Sequence, residues 1–262
     1  MKKLTISLIQ MDIKTADVDS NLSAAARFIE KASKHKPDFI VLPEMWSTGF
    51  AYGDLYGIAK SYFDVTLDFI KYHAKKCSST IIAGSIPEPE GSKVFNTCFA
   101  ASPDGKVIGK YQKTHVFSPT GESLHFAAGE KAEATLTPFG KIGIVICYDL
   151  RFPELVRKLW SKGINILFVP AQFPAVRIDH WNTLLRARAI ENHIFVAGCN
   201  RTGKDKRYEY PGESAVYDPF GRTVEKADDK EGVTTCTIDL NKIKEADEII
   251  PIRKDRRPEA YK

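Results

Sequence analysis

Three residues of this chain join a reactive group to the end of an apolar run. Ile40-Val41-Leu42-Pro43-Glu44 sets a carboxylate directly after a buried strand, and Gly109-Lys110-Tyr111-Gln112-Lys113-Thr114-His115 sets an ammonium after another. Lys141-Ile142-Gly143-Ile144-Val145-Ile146-Cys147 sets a thiol after a third. In α/β proteins the carboxyl ends of strands open onto the crevice where ligands bind. A cysteine, a carboxylate and an ammonium at such strand ends are groups that could do chemistry there. The following Arg151-Phe152-Pro153-Glu154-Leu155 reads as a helix opening with Pro in its first turn. The positive end of that helix would favour a thiolate at Cys147. Taken singly, Cys147 also reads as a buried structural thiol, Glu44 as a loop carboxylate and Lys113 as a surface lysine.

The elements that must position these groups alternate. Thr5–Gln10, Asp38–Leu42 and Thr80–Ser85 read as strands, and Ser20–Lys34 and Asp64–Lys76 as helices with apolar residues at helical spacing. Phe95–Ser102 and Lys106–Gln112 flank Pro103-Asp104-Gly105 and read as a hairpin. After Cys147 come a helix from Pro153, a strand over Asn165–Val169 and a helix over Asp179–Asn192. Ile194–Cys199, Ser214–Tyr217 and Gly232–Ile238 complete the strands, and the polar stretch Thr202–Pro211 reads as an exposed loop. Helices interspersed with hairpins and buried strands predict two packed sheets covered by helices on both outer faces. No repeat or linker divides the chain, so residues 1–262 are expected to form one domain.

Composition narrows the class. With 43% hydrophobic and 27% charged residues among 262, the chain has ample core for an ordinary globular protein. The net charge of +5 is mild, and the densest basic cluster, Arg253-Lys254-Asp255-Arg256-Arg257, is short and interrupted. That argues for a solvated or interface segment rather than a nucleic-acid surface. Cys77, Cys98, Cys147, Cys199 and Cys236 are scattered and odd in number, with no CxxC pair, so neither a disulfide framework nor a metal site is expected. The N-terminal apolar stretch is too short and too alternating for a signal peptide, and no stretch approaches membrane-spanning length. These readings favour a reducing cytoplasm.

Together, Leu42-Pro43-Glu44, Tyr111-Gln112-Lys113-Thr114-His115 and Cys147-Tyr148-Asp149-Leu150-Arg151-Phe152-Pro153-Glu154 resemble the motifs of the carbon–nitrogen hydrolase (nitrilase) superfamily, in the same order and at similar separations. The resemblance runs from Ile9-Gln10 to Ile238-Asp239-Leu240 and is most specific around the cysteine. It implies a four-layer α-β-β-α sandwich and a catalytic triad of Glu44, Lys113 and Cys147. In the implied roles, Cys147 attacks a carbonyl, Glu44 moves protons, and Lys113 with the Tyr148 backbone N–H stabilises the oxyanion. Glu122 matches a second family glutamate that orients Lys113 and the reacting amide. The triad supplies nucleophile, base and stabiliser, so no cofactor is expected. A papain-like pairing of Cys147 with His115, His125, His180 or His193 lacks any peptidase signature around the cysteine.

Within the superfamily the cysteine segment and Leu-Pro-Glu-Met-Trp-Ser-Thr-Gly-Phe are most like the ω-amidase group, which implies hydrolysis of small dicarboxylic monoamides such as 2-oxoglutaramate and succinamate. Such a substrate needs a cation at the far end of its pocket. Arg177, in the loop leaving the strand Ile166–Pro170, could clamp a carboxylate. Arg151, in a helical first turn, reads as structural, balanced by Asp149, Glu154 or Glu191. Phe173, Phe50 and Tyr52 are possible apolar walls. A nitrilase or N-carbamoyl amino-acid hydrolase is the enzymatic alternative, and a non-catalytic binding protein with the same fold is the other. The resemblance also implies a small-molecule amide as partner and a homodimer or larger homo-oligomer paired through the helix bearing Leu155, Val156, Leu159 and Trp160, with the tail 251–262 reaching across.

Overall fold

Side chains along the first strand alternate between two covers. In β1 (Lys3–Gln10), Leu4, Ile6 and Leu8 enter one core, whereas Ile9 enters another. The same split recurs in β2 (Phe39–Val41), where Phe39 and Val41 face one side and Ile40 the other. A sheet buried on both faces must be sandwiched. The computed structural model describes residues 3–261, so the ends Met1, Lys2 and Lys262 of the segments discussed above lie outside it.

The first half continues with α1 (Val18–Ser33), α2 (Leu55–Cys77), β3 (Thr80–Ile82), β4 (Ile86–Glu90), β5 (Lys93–Ala101) and β6 (Val107–Gln112). The second half holds β7 (Thr135–Thr137), β8 (Gly140–Ile144), α3 (Pro153–Ser161), β9 (Ile166–Ala171), α4 (Ile178–Asn192) and β10 (Phe195–Asn200). It ends with β11 (Thr202–Lys204), β12 (Glu209–Pro211), β13 (Ala215–Tyr217), β14 (Thr223–Lys226), β15 (Gly232–Asp239), α5 (Asn241–Ile249) and α6 (Ile252–Asp255).

One sheet runs β15-β1-β2-β3-β5-β4 with β6 on the other side of β5, and the second runs β14-β13-β10-β9-β8-β7. Each has three parallel strands at its heart, β1-β2-β3 and β8-β9-β10. Ala25 and Ile29 of α1 and Ile70 and Ala74 of α2 seal the outer face of the first sheet. Leu155, Val156 and Leu159 of α3 and Trp181 and Leu185 of α4 belong to the core of the second sheet. Each such fully buried aliphatic side chain contributes roughly 1.5–3 kcal/mol relative to exposure. The result is the four-layer α-β-β-α sandwich.

Most elements fall where the sequence places them, with three differences. The helix read over Asp64–Lys76 begins nine residues earlier, at Leu55. The strand Ile86–Glu90 escapes the sequence reading because Pro87 and Pro89 interrupt its pattern; it lies at the sheet edge, where prolines are tolerated. Thr202–Pro211 is not a loop but the hairpin β11–β12, with Thr202 and Tyr210 buried. The apolar stripe of α3 is used up within its own chain, so pairing of two copies through this helix would need its other face. The tail also folds back on its own chain, with Arg253 and Arg256 at 4.5 Å and 5.8 Å from the Trp160 ring. Among the described residues no helix is long and apolar enough to cross a membrane.

Candidate active site

The strand ends converge as their sequence positions suggest. Glu44 follows β2, Lys113 follows β6, and Cys147 lies three residues beyond β8. Lys113 Nζ sits 2.8 Å from Glu44 Oε1 and 2.9 Å from both oxygens of Glu122, and all three residues are buried. Cys147 shares one cavity with them, and its thiol and the Glu44 carboxylate raise and lower each other's ease of ionisation. Glu122 is fixed from behind by the Phe117 backbone N–H at 2.6 Å. An ammonium has three N–H donors; Glu44 takes one and Glu122 can be served by a second, which leaves a third for a bound ligand.

Charge balance in this cluster is set by burial. Burial opposes the charge on Lys113, but Glu122 and Glu44 outweigh it and hold the lysine pKa well above its ordinary value. Burial raises the Glu44 pKa against the pull of Lys113. For Cys147, burial and then the Glu44 charge push the thiol pKa far up, and Lys113 opposes them only in part. This corrects the expectation of a thiolate-favouring site. The helix whose end was to stabilise the anion starts only at Pro153, with the 3₁₀ turn Cys147–Arg151 between. The raised thiol pKa favours a protonated Cys147 beside a carboxylate, so reaction as a thiolate would need a proton acceptor such as Glu44.

Cys147 has φ +49°, a left-handed conformation that non-glycine residues avoid. Asp149 holds it there. Its fully buried carboxylate accepts from the Ile146 N–H at 3.0 Å on the nucleophile side, and from Tyr111 Oη at 2.7 Å and the His115 N–H at 2.8 Å on the lysine side. His115 Nδ1 also meets Asp149 at 2.8 Å, and its ring stacks on Phe152 at 3.6 Å. His115 thus belongs to the scaffold and does not face Cys147 as a papain-like partner would.

The cluster forms the floor of a cavity of about 410 Å³. Its lining includes all the residues singled out from sequence: Glu44, Lys113, Glu122, Cys147, Tyr148, Phe173 and Arg177, as well as Phe50 and Tyr52. Tyr52 stacks on His125 at 4.4 Å, and burial lifts its hydroxyl pKa to about 12. Arg177 lies between the rings of Phe117 and Tyr208, at 5.4 Å and 5.3 Å. Arg151, read from sequence as a structural residue balanced by a carboxylate, instead lines the same cavity, with its guanidinium 5.5 Å from the Phe173 ring and Nη2 3.0 Å from His180 Nδ1. Two of the partners expected for it are engaged elsewhere, since Asp149 serves the scaffold and Glu191 pairs with Arg188.

Sequence reasoning missed several contributors. Gln172, at the end of β9, donates its backbone N–H to Glu44 Oε2 at 3.0 Å and its side-chain amide to the Glu44 carbonyl at 2.9 Å. Arg201, almost completely buried, fixes the Gln172 oxygen at 3.1 Å and pairs with Asp12 at 2.9 Å. Asn96 touches both glutamates. Arg207 and Tyr208 close the outer wall from the hairpin read as a loop. A polar amide inside the apolar run Val94-Phe95-Asn96-Thr97-Cys98 was the available signal for Asn96.

A two-sheet sandwich with a buried Glu–Lys–Glu cluster against a strained cysteine defines a hydrolase-type site. A sequence model of the carbon–nitrogen hydrolase family matches residues 5–248, and the chain belongs to that family. It is 40% identical over 259 residues to the 2-oxoglutaramate amidase of Bacillus subtilis, covering 99% of this chain and 100% of that one. It is 32% identical to the ω-amidase NIT3 of Saccharomyces cerevisiae, over 99% of this chain and 95% of the relative. The crystal structure of yeast Nit3, a member of branch 10 of the nitrilase superfamily, superimposes with a TM-score of 0.90 at 31% identity, covering 98% of this chain and 97% of that one.

Proposed function

We propose that this carbon–nitrogen hydrolase cleaves the terminal amide of small carboxylate-bearing monoamides, 2-oxoglutaramate and succinamate among them, through a thioester on Cys147. Glu44 accepts the thiol proton as Cys147 Sγ bonds to the amide carbon. The oxyanion so formed is met by the free N–H of Lys113 and the Tyr148 backbone N–H. Collapse breaks the C–N bond, and Glu44 returns the proton to the leaving nitrogen, releasing ammonia. Glu44 then deprotonates water, which attacks the thioester and frees the carboxylic acid and the thiol. Glu122 holds Lys113 in place throughout.

The observation that carries this reading is the buried Lys113 held between Glu44 and Glu122 beside the Cys147 thiol. A net negative charge behind the ammonium keeps it protonated while one N–H remains for the oxyanion. The acyl end is supported by Arg177 and Arg151, neither of which forms a carboxylate ion pair among the described residues, and by the aromatic walls between them and Cys147. Two unpaired guanidinium groups in one cavity suit an anionic ligand. The relative that acts on 2-oxoglutaramate by name adds weight to that acid.

The test is ammonia release from succinamate and 2-oxoglutaramate against a neutral amide, a nitrile and an N-carbamoyl amino acid. Wild type is expected to act on the two acidic amides, and Cys147→Ala on none while retaining its fold. Arg177→Ala should raise KM for the acidic amides about tenfold or more with little change for the neutral one. Equal effects on both substrate types would remove Arg177 from carboxylate recognition, and turnover only of another panel member would overturn the substrate class.

A further inference from the structure

Lys113 is not alone in spanning the two buried glutamates. Asn96, in the middle of β5 and fully buried, sends Nδ2 to Glu44 Oε1 at 3.0 Å and to Glu122 Oε1 at 3.1 Å. These oxygens are the ones that Lys113 also contacts. Chemistry fixes the orientation of the amide, because its oxygen in that place would set lone pairs against two carboxylates. The two oxygens of Glu44 are therefore unequal. Oε1 accepts from an ammonium and an amide, whereas Oε2 accepts from the Gln172 backbone N–H at 3.0 Å. With two donors Oε1 has both lone pairs filled, whereas the single Gln172 N–H leaves Oε2 with one still open.

We infer that Asn96 is a positioning residue that, together with Lys113, fills Glu44 Oε1 and reserves Oε2 as the one oxygen through which protons move. The inference rests on the amidase reading given above. When Cys147 attacks, its S–H bond breaks and an O–H bond forms at Oε2. That proton then goes to the departing nitrogen, and Oε2 takes the next one from water. Glu44 is faced by Lys113, Glu122 and Cys147, with Tyr52 close enough to feel both glutamates. Among these neighbours the donor at position 96 is neutral. A second cation there would weaken Glu44 as a base, and an apolar side chain would leave Oε1 short of a donor and the carboxylate free to turn.

Asn96→Leu keeps the size and removes the donors, while Asn96→Asp keeps the shape and adds a third carboxyl group. In both, the acid limb of kcat/KM for an acidic amide should move up, by about one pH unit in Asn96→Leu and further in Asn96→Asp. The plateau kcat should fall about tenfold or more while KM stays within about threefold. A thermal scan identifies which variants are folded, and either one suffices. An unmoved acid limb in a folded variant, or a loss confined to KM, would overturn the assignment. The acid limb can also be followed without any amide, in the rate at which methyl methanethiosulfonate modifies Cys147. A shift there in a protein that releases no ammonia would sustain the role of Asn96 and reject the amidase reading.

Discussion

Cys147 is held quiet by its surroundings. Burial and the charge of Glu44 both raise its pKa, and Lys113 offsets them only partly. Glu44 therefore suppresses the thiolate at rest and, in the proposed mechanism, removes the proton during attack, two effects that one substitution can separate. Glu44→Gln deletes the carboxylate charge, so the folded-state thiol pKa must fall. The pH midpoint for alkylation of Cys147 is expected to move down while amide hydrolysis is lost. A midpoint that stays put or rises would show that Glu44 does not control the thiol. That Glu44, Lys113 and Cys147 end apolar runs was legible in sequence, and the resemblance to the carbon–nitrogen hydrolases singled out the three together. The balance of charges was not, because it depends on how deeply the cluster is buried, which the resemblance that paired Glu122 with Lys113 does not give.

At the scale of elements, the turn after β3 matters as much as the strands. Gly84 has φ +59°, and a Cβ there would lie 1.9 Å from the Pro43 carbonyl oxygen and 2.8 Å from that of Leu42. Those two carbonyls belong to the residues just before Glu44, and Ser85 secures the next turn by accepting the Met45 N–H at 2.9 Å. Gly84→Ala should thus displace Glu44 as well as strain the backbone. We expect a stability loss of more than about 2 kcal/mol by urea denaturation and a disproportionate fall in kcat. Wild-type stability in this variant would mean that the turn has room to give. The βα alternation was readable from periodicity, as was the Phe95–Gln112 hairpin from its Pro-Asp-Gly turn. The hairpin carrying Arg207 and Tyr208 was hidden by its polar composition: only Thr202 and Tyr210 turn inward, too few to make an alternating signal.

On the scale of the whole molecule, the site is a seam between two sheets. Glu44 and Lys113 come from one, and Cys147 and Gln172 from the other, joined by the Gln172 bonds to Glu44. The first sheet is itself completed from far away: β15 pairs with β1 over eight residues, and Ser7 Oγ meets Thr235 Oγ1 at 2.8 Å. Ending the chain at Glu231 should abolish the cooperative thermal transition, because β1 would lose one whole edge. A sharp unfolding transition in the shortened protein would show that β15 is dispensable.

That pairing has a consequence for synthesis. Ser7 and Thr235 are 228 residues apart in the chain, so β1 leaves the ribosome long before its edge partner exists. At about 5–20 residues per second the interval is roughly ten to fifty seconds. Throughout it the nascent protein carries an uncovered strand edge, and until residues 135–226 emerge its apolar side chains have no second sheet to meet. Its greatest exposure to aggregation comes during translation, and chaperone supply there, more than the strength of the finished core, would govern its yield.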